Sequence, residues 1–269
     1  MEIVAAFDQN ARANETYQLN FGLKPSSRNL DSIKGNDVPA ADMWWMSPPC
    51  APYTVRGNRK DLEDPRAASF VNLIKLAVEH KPRFILVENV MGFSSSMARK
   101  AFMDALGSCG YSFVEYDLCS TDFGVPMKRT RHYMIAASGL TPDRSDAPNE
   151  PSLLPLSSFL KETDDDLFLS PDVMARYGNG FDIVEPNSPS SRVICFTRNY
   201  ARCMRASGSL IRVDDRVRRF SPEEILKLLG FSDAFRFPVA IDRETRWRLV
   251  GNSVDVRAIR FLLNSVRVS

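Results

Sequence analysis

Three prolines within a short stretch, Pro48, Pro49 and Pro52, set the tightest constraint on the fold. Each locks φ and removes an amide donor, so neither sheet nor helix continues through Met46-Ser47-Pro48-Pro49-Cys50-Ala51-Pro52-Tyr53-Thr54. The apolar run Met43 to Trp45 ahead of it reads as a buried strand end. The segment therefore leaves that strand as a stiff loop with Cys50 at its tip. In an open α/β sheet, loops at the carboxyl ends of strands line the ligand crevice. Cys50 is a candidate reactive thiol, and a packing cysteine beside a turn is the competing reading.

The flanking pattern is a βαβ series. Ile3 to Phe7 is a β-type run ending at Asp8, and Ala11 to Asn20 reads as a helix. A carboxylate at such a strand end serves either a ribose hydroxyl or a helix N-terminus. Apolar residues at Phe70, Leu73, Ile74, Ala77 and Val78 predict a helix over Ala67 to His80. Phe84-Ile85-Leu86-Val87 then reads as a strand buried on both faces that stops on Glu88-Asn89-Val90, where a buried carboxylate needs a task or a partner. Met97 to Leu106 reads as helix, Gly110 as a break, and Tyr111 to Leu118 and His132 to Ala137 as strands. The loop before the last strand carries Phe123-Gly124-Val125-Pro126 and Lys128-Arg129-Thr130-Arg131, and alternation along an extended chain puts Arg129 and Arg131 on one side. The polar segment Arg56 to Arg66 reads as a mobile loop able to fold over a substrate.

After Gly139 the prolines 142, 148, 151 and 155 mark a linker into a second lobe. The expected domains are 1–145, a first part of the catalytic domain; 146–220, a smaller domain; and 221–269, helices returning to the first. Ser221-Pro222-Glu223-Glu224 is a capped helix start, and Gly251-Asn252-Ser253-Val254 is a tight turn into a final helix, Val256 to Val266. With 44% apolar and 25% charged residues and no membrane-length apolar run, the chain reads as a globular protein of the cytosol or nucleus. Five cysteines without a C-x-x-C pair and only two histidines, His80 and His132, point to reduced thiols and to no zinc site. The net charge of +2 hides an uneven distribution. Residues 161–185 carry the run Asp164, Asp165, Asp166, while Arg192, Arg198, Arg202, Arg205, Arg212, Arg216, Arg218 and Arg219 follow, suiting either a polyanion or plain solvent.

Four pieces in order resemble the cytosine C5-methyltransferase superfamily: the Pro-Pro-Cys loop, Glu88-Asn89-Val90, Arg129-x-Arg131 and Gly251-Asn252-Ser253-Val254. Within it, Met46 to Cys50, Phe123 to Pro126, and Cys195-Phe196-Thr197 with Ser207-Gly208-Ser209 resemble the branch that methylates cytosine 38 in the anticodon loop of tRNA(Asp). The resemblance implies a Rossmann-like methyltransferase sheet with a smaller target-recognition domain, acting as a monomer on nucleic acid, tRNA in preference to DNA, and not on membranes. It implies catalytic roles for Cys50, Glu88, Arg129 and Arg131, and S-adenosylmethionine held by Asp8, Leu30, Asp31, Pro48, Asn252 and Ser253. Substrate contacts fall on Asn89, Cys195, Phe196, Thr197 and Arg198. Departures are Ala51 where the family usually has Gln, Met127 where Gln or Asn precedes the arginines, and the absence of a Phe-x-Gly-x-Gly strand and turn ahead of Ile3. A downstream start and a decayed, inactive nucleic-acid-binding copy are the two accounts of that absence. A DNA cytosine methyltransferase is the further alternative.

Overall fold

A computed structural model describes residues 1–53, 61–142, 144–149, 152–161 and 164–266. Of the polar segment expected to fold over a substrate, residues 56–60 lie outside the described ones. The chain divides into two compact units: Met1–Leu118, Thr130–Ala147 and Phe261–Ser269 form unit 1, and Cys119–Arg129 with Pro148–Arg260 form unit 2.

In unit 1, α1 (Ala11–Phe21) is started by Asn10, whose side chain accepts from the Arg12 and Ala13 amides, and stopped by Gly22 in the left-handed region. There follow β1 (Met43–Met46), α2 (Ala68–His80), β2 (Phe84–Asn89), α3 (Met97–Gly107) and β3 (Tyr111–Cys119). The chain then forms the two-residue β4 (Met127–Lys128) and β5 (Thr130–Ser138). The sheet order is β1-β2-β5-β3, with β1 parallel and β5 antiparallel to β2. The sheet is therefore mixed: only a short helical turn, Ser120–Phe123, and β4 lie between β3 and β5, with no α-helix to serve as a parallel crossover. Every residue of β2 is buried, as its unbroken apolar run requires. Beneath it Phe70 stacks on Phe102 and meets Phe93 edge-on, joining α2, α3 and the strand ends in one core.

The expected first strand, Ile3 to Phe7, does not build a ladder. Phe7 makes one parallel bridge to Ser26, supported by Asp8 N donating to Ser26 O at 3.1 Å and Ser26 N to Ala6 O at 2.8 Å. Ala5 and Ala6 offer little surface to bury, and Ile3 and Val4 stay exposed.

Unit 2 contains α4 (Pro171–Tyr177), β6 (Ile183–Val184), β7 (Val193–Ile194), β8 (Leu210–Val213), β9 (Arg216–Arg219), α5 (Pro222–Leu228) and α6 (Arg243–Gly251), with the start of α7 (Val256–Ser265). β4 pairs with β7, and β6-β8-β9 form a second small sheet. Phe196, Tyr200, Phe220, Ile225, Leu228, Trp247 and Val250 share its core. The apolar faces of α5 and α6 thus bury against the second lobe, which draws residues 221–260 into this unit instead of the first; only Phe261 onward counts with unit 1. Four of the eight arginines of the run form ion pairs within unit 2. Arg202, Arg212, Arg216 and Arg218 pair with Glu244, Glu185, Asp165 and Glu224. Among the described residues no helix is long and apolar enough to cross a membrane, and no cluster of three or more acidic, Cys or His side chains could hold a metal ion.

Candidate active site

Cys50 leaves β1 as the prolines dictate, and its side chain is exposed. A single helical turn, Ala51–Tyr53, closes behind it, with Tyr53 N donating to Cys50 O at 2.9 Å. Tyr53 is buried edge-on against Phe93 at 5.1 Å, which fastens the loop to the turn after β2. Burial, with the nearby Asp61 and Asp64, pushes the Tyr53 phenol well above its ordinary range, so it stays neutral. Asp64 caps the next turn and grips Arg66 through two bonds, Nε to Oδ1 at 2.8 Å and Nη2 to Oδ2 at 2.6 Å. That pairing, with a smaller electrostatic contribution from Cys50, raises the Arg66 pKa. Asp64-Pro65-Arg66, expected within the mobile loop Arg56 to Arg66, is instead an ordered helical turn with Asp64 buried, and its signal was an Asp-Pro helix start shortly after the cysteine loop.

Register brings the second expected group to the same strand ends. Met46 faces Val87 across the parallel pair, so the Cys50 loop and Glu88 leave neighbouring strands at one end of the sheet. Asn89 closes the connection: its Nδ2 donates to Pro48 O at 3.2 Å and its Oδ1 accepts from Val90 N at 2.9 Å. With 2% exposure and both polar ends used on backbone, Asn89, expected at the substrate, fastens the cysteine loop. Glu88 is 9% exposed and meets Arg131 Nε through Oε1 at 3.4 Å. The buried carboxylate thus has the partner its burial demands.

The two arginines do not act as a matched pair on one extended strand. The ladder is interrupted at Arg129, whose amide donates back to Met127 O at 3.1 Å. Arg131 turns to Glu88 in unit 1. Arg129 belongs to unit 2, where Nη1 donates to Cys195 Sγ at 3.2 Å and Nη2 to the Ser253 carbonyl. Parallel register, Lys128 opposite Ile194, sets Arg129 beside Cys195. Phe196, expected at the substrate, is 2% exposed and packs on Tyr200 and Phe220. It is a core residue: two residues past β7 its ring enters the aromatic cluster of its unit. Thr197 is half-buried and Arg198 exposed.

Of the residues expected at a cofactor, Asp8 and Asp31 present exposed carboxylates. Asp8 spends Oδ1 on Asn10 N at 2.7 Å. The turn that carries Leu30 is tied to α2 by Asn72 Nδ2, which donates to Leu30 O at 2.9 Å and Ile33 O at 3.0 Å. Exposed carboxylates on anchored turns suit the hydroxyls of a ribose. Ser253, also expected at the cofactor, has its hydroxyl on Leu249 O at 3.0 Å and its carbonyl on Arg129.

On the face opposite Glu88 lies a cavity of about 510 Å³ that none of the expected residues lines. His132 sits in its wall between Asp117 (Nδ1 to Oδ1, 2.7 Å) and Glu115 (Nε2 to Oε1, 3.3 Å). Burial opposes ionisation of Glu115, but the two bonds from Arg99 and the nearby His132 prevail and hold its carboxyl below the ordinary range.

The sequence matches the family described as C-5 cytosine-specific DNA methylase over residues 1–173 and 172–267. A tRNA (cytosine(38)-C(5))-methyltransferase of Schizosaccharomyces pombe is 31% identical over 98% of this chain and 88% of its own length. One from Spodoptera frugiperda is 32% identical over 97% of this chain and 91% of its own. Among solved structures, the Entamoeba histolytica methyltransferase EhMeth superposes with a TM-score of 0.90 at 28% identity, covering 97% of this chain and 88% of that one. With a Pro-Pro-Cys loop and a buried glutamate at adjoining strand ends, and a family match along nearly its whole length, the chain belongs to the C-5 cytosine-specific DNA methylases, the cytosine C5-methyltransferases.

Proposed function

We propose that this protein methylates C5 of a cytosine in tRNA, with Cys50 as the nucleophile and Glu88 as the group that reads and protonates the ring. The observation that carries it is the Asn89 to Pro48 bond, which locks the cysteine loop to the strand end bearing Glu88. C5 of cytosine is a poor nucleophile. Addition of the Cys50 thiolate at C6 makes C5 enamine-like, provided N3 gains a proton as electron density enters the ring. Glu88, buried beside Arg131, donates to N3 and accepts from the exocyclic amine. After methylation at C5 the C5 proton passes to water, the C6–S bond breaks to release the Cys50 thiolate, and N3 returns its proton to Glu88, which restores the enzyme. S-adenosylmethionine, when bound, supplies the methyl group at an activated sulfonium. Asp8 would hold its ribose and Asp31 would lie near its adenine, with Leu30 and Pro48 alongside.

The relatives named above favour tRNA as substrate, and an RNA loop yields an unstacked base at lower cost than a duplex. Incubating the full chain with S-adenosylmethionine carrying a labelled methyl group and tRNA(Asp) produces 5-methylcytosine, and Cys50→Ala abolishes it. Label appearing only in duplex DNA would overturn the RNA assignment.

A further inference from the structure

Two motifs that the sequence separates by more than fifty residues meet on one guanidinium in unit 2. The Arg129 side chain, 5% exposed, donates through Nη1 to Cys195 Sγ at 3.2 Å and through Nη2 to the Ser253 carbonyl. Both acceptors sit on braced backbone. Cys195 is flanked by Ile194, whose amide donates to Ser209 Oγ at 2.8 Å, and its own thiol reaches Phe196 O at 3.5 Å. Two residues on, Thr197 N donates to Ser207 O at 2.8 Å. Ser253 follows Gly251, whose backbone lies so close to the Thr197-Arg198 peptide that a Cβ there would come within 2.3 Å of Thr197 C. Only glycine permits the turn to approach, and that approach sets the carbonyl and the sulfur on one cation.

We infer that Cys195 is a positioning residue: its sulfur and the Ser253 carbonyl fix the direction in which Arg129 presents its charge, so that the guanidinium is preorganised before a substrate arrives. The thiol both accepts from Arg129 and donates to Phe196 O, which fixes its own rotamer. Cys195 then contributes to the rate without touching the nucleic acid, and Gly251-Asn252-Ser253 contributes by holding the opposite side of the same group. This rests on the methyltransferase reading for its effect on rate, but not for the contact.

The test is a double-mutant cycle in the full chain with Cys195→Ala, Cys195→Ser and Arg129→Lys, read by steady-state methyl transfer to tRNA and by thermal melting without ligands. Cys195→Ala is expected to lower kcat about tenfold with KM for tRNA within about twofold. Cys195→Ser, which keeps donor and acceptor, recovers activity to within about threefold of the parent, and on the Arg129→Lys background Cys195→Ala costs nothing further. Melting shifts of the two single changes are likewise non-additive. Additive shifts in both measurements overturn the clamp, and a loss carried by KM with kcat unchanged overturns it in favour of direct RNA contact. A parent protein silent on every nucleic acid defeats the methyltransferase reading and the rate effect, whereas the melting cycle still decides the contact.

Discussion

Glu88 is the residue on which burial and chemistry press hardest. A carboxylate at 9% exposure needs compensation, and Arg131 at 3.4 Å supplies part of it while leaving room for a ring that offers one acceptor and one donor. Glu88→Gln keeps the shape but removes the transferable proton. Methyl transfer to tRNA should fall by roughly 10²- to 10³-fold in kcat, with the melting temperature little changed, because Arg131 retains the Thr130 carbonyl at 2.8 Å. Single-turnover assays decide it, and full activity of the glutamine variant would exclude proton donation by Glu88. Cys50 and Glu88 were both legible in the sequence, since proline fixes a loop by itself and a carboxylate closing an apolar run is conspicuous. Arg129 and Phe196 were not. Nothing local says that the chain turns at Arg129 or that an aromatic residue beside Cys195 lies in a core.

Among the elements, the turn after β2 governs the cysteine loop through one small residue. A Cβ on Gly92 would stand 2.1 Å from Tyr53 O, and Tyr53 cannot yield because its ring is buried against Phe93. Gly92→Ala should destabilise unit 1 by about 1–3 kcal/mol through overpacking and lower kcat by displacing Cys50. Gly110→Ala is the control: its φ of +83° makes it strained, but nothing lies within 4 Å of the added carbon, so it costs about 1 kcal/mol and leaves activity intact. Comparing the pair by urea denaturation and by iodoacetamide labelling of Cys50 checks the claim, and parental labelling in Gly92→Ala would refute it. Helix α2 was readable from its apolar stripe and α3 from the break at Gly110 that follows it. Ile3 to Phe7 was misread because a short run with two alanines carries too little apolar area to dictate pairing, and the insertion of β5 between β2 and β3 is a non-local pairing that no single stretch announces.

At the scale of the molecule, charge counts from the sequence mislead because pairing is non-local. The run from Arg192 to Arg219 resembles a polyanion surface, yet it supplies the most buried ion pair of unit 2. Glu224, with 0% exposure, accepts from Arg218 Nη1 at 2.8 Å and Nη2 at 2.9 Å, from Ser221 N at 2.8 Å and from Lys161 N at 3.0 Å. One carboxylate thereby joins β9, the start of α5 and the turn near Leu160. Removing either member leaves a charge in the core, so Arg218→Met and Glu224→Ala should each cost about 3–5 kcal/mol. The double change Arg218→Met with Glu224→Leu should cost less than the sum by about 1–3 kcal/mol, since no charge is left behind. It should still fall short of the parent, because two backbone amides lose their acceptor at about 1–3 kcal/mol each. Urea denaturation at neutral pH measures all three. Additivity within about 0.5 kcal/mol would mean that Arg218 and Glu224 stabilise the unit separately and not as a pair.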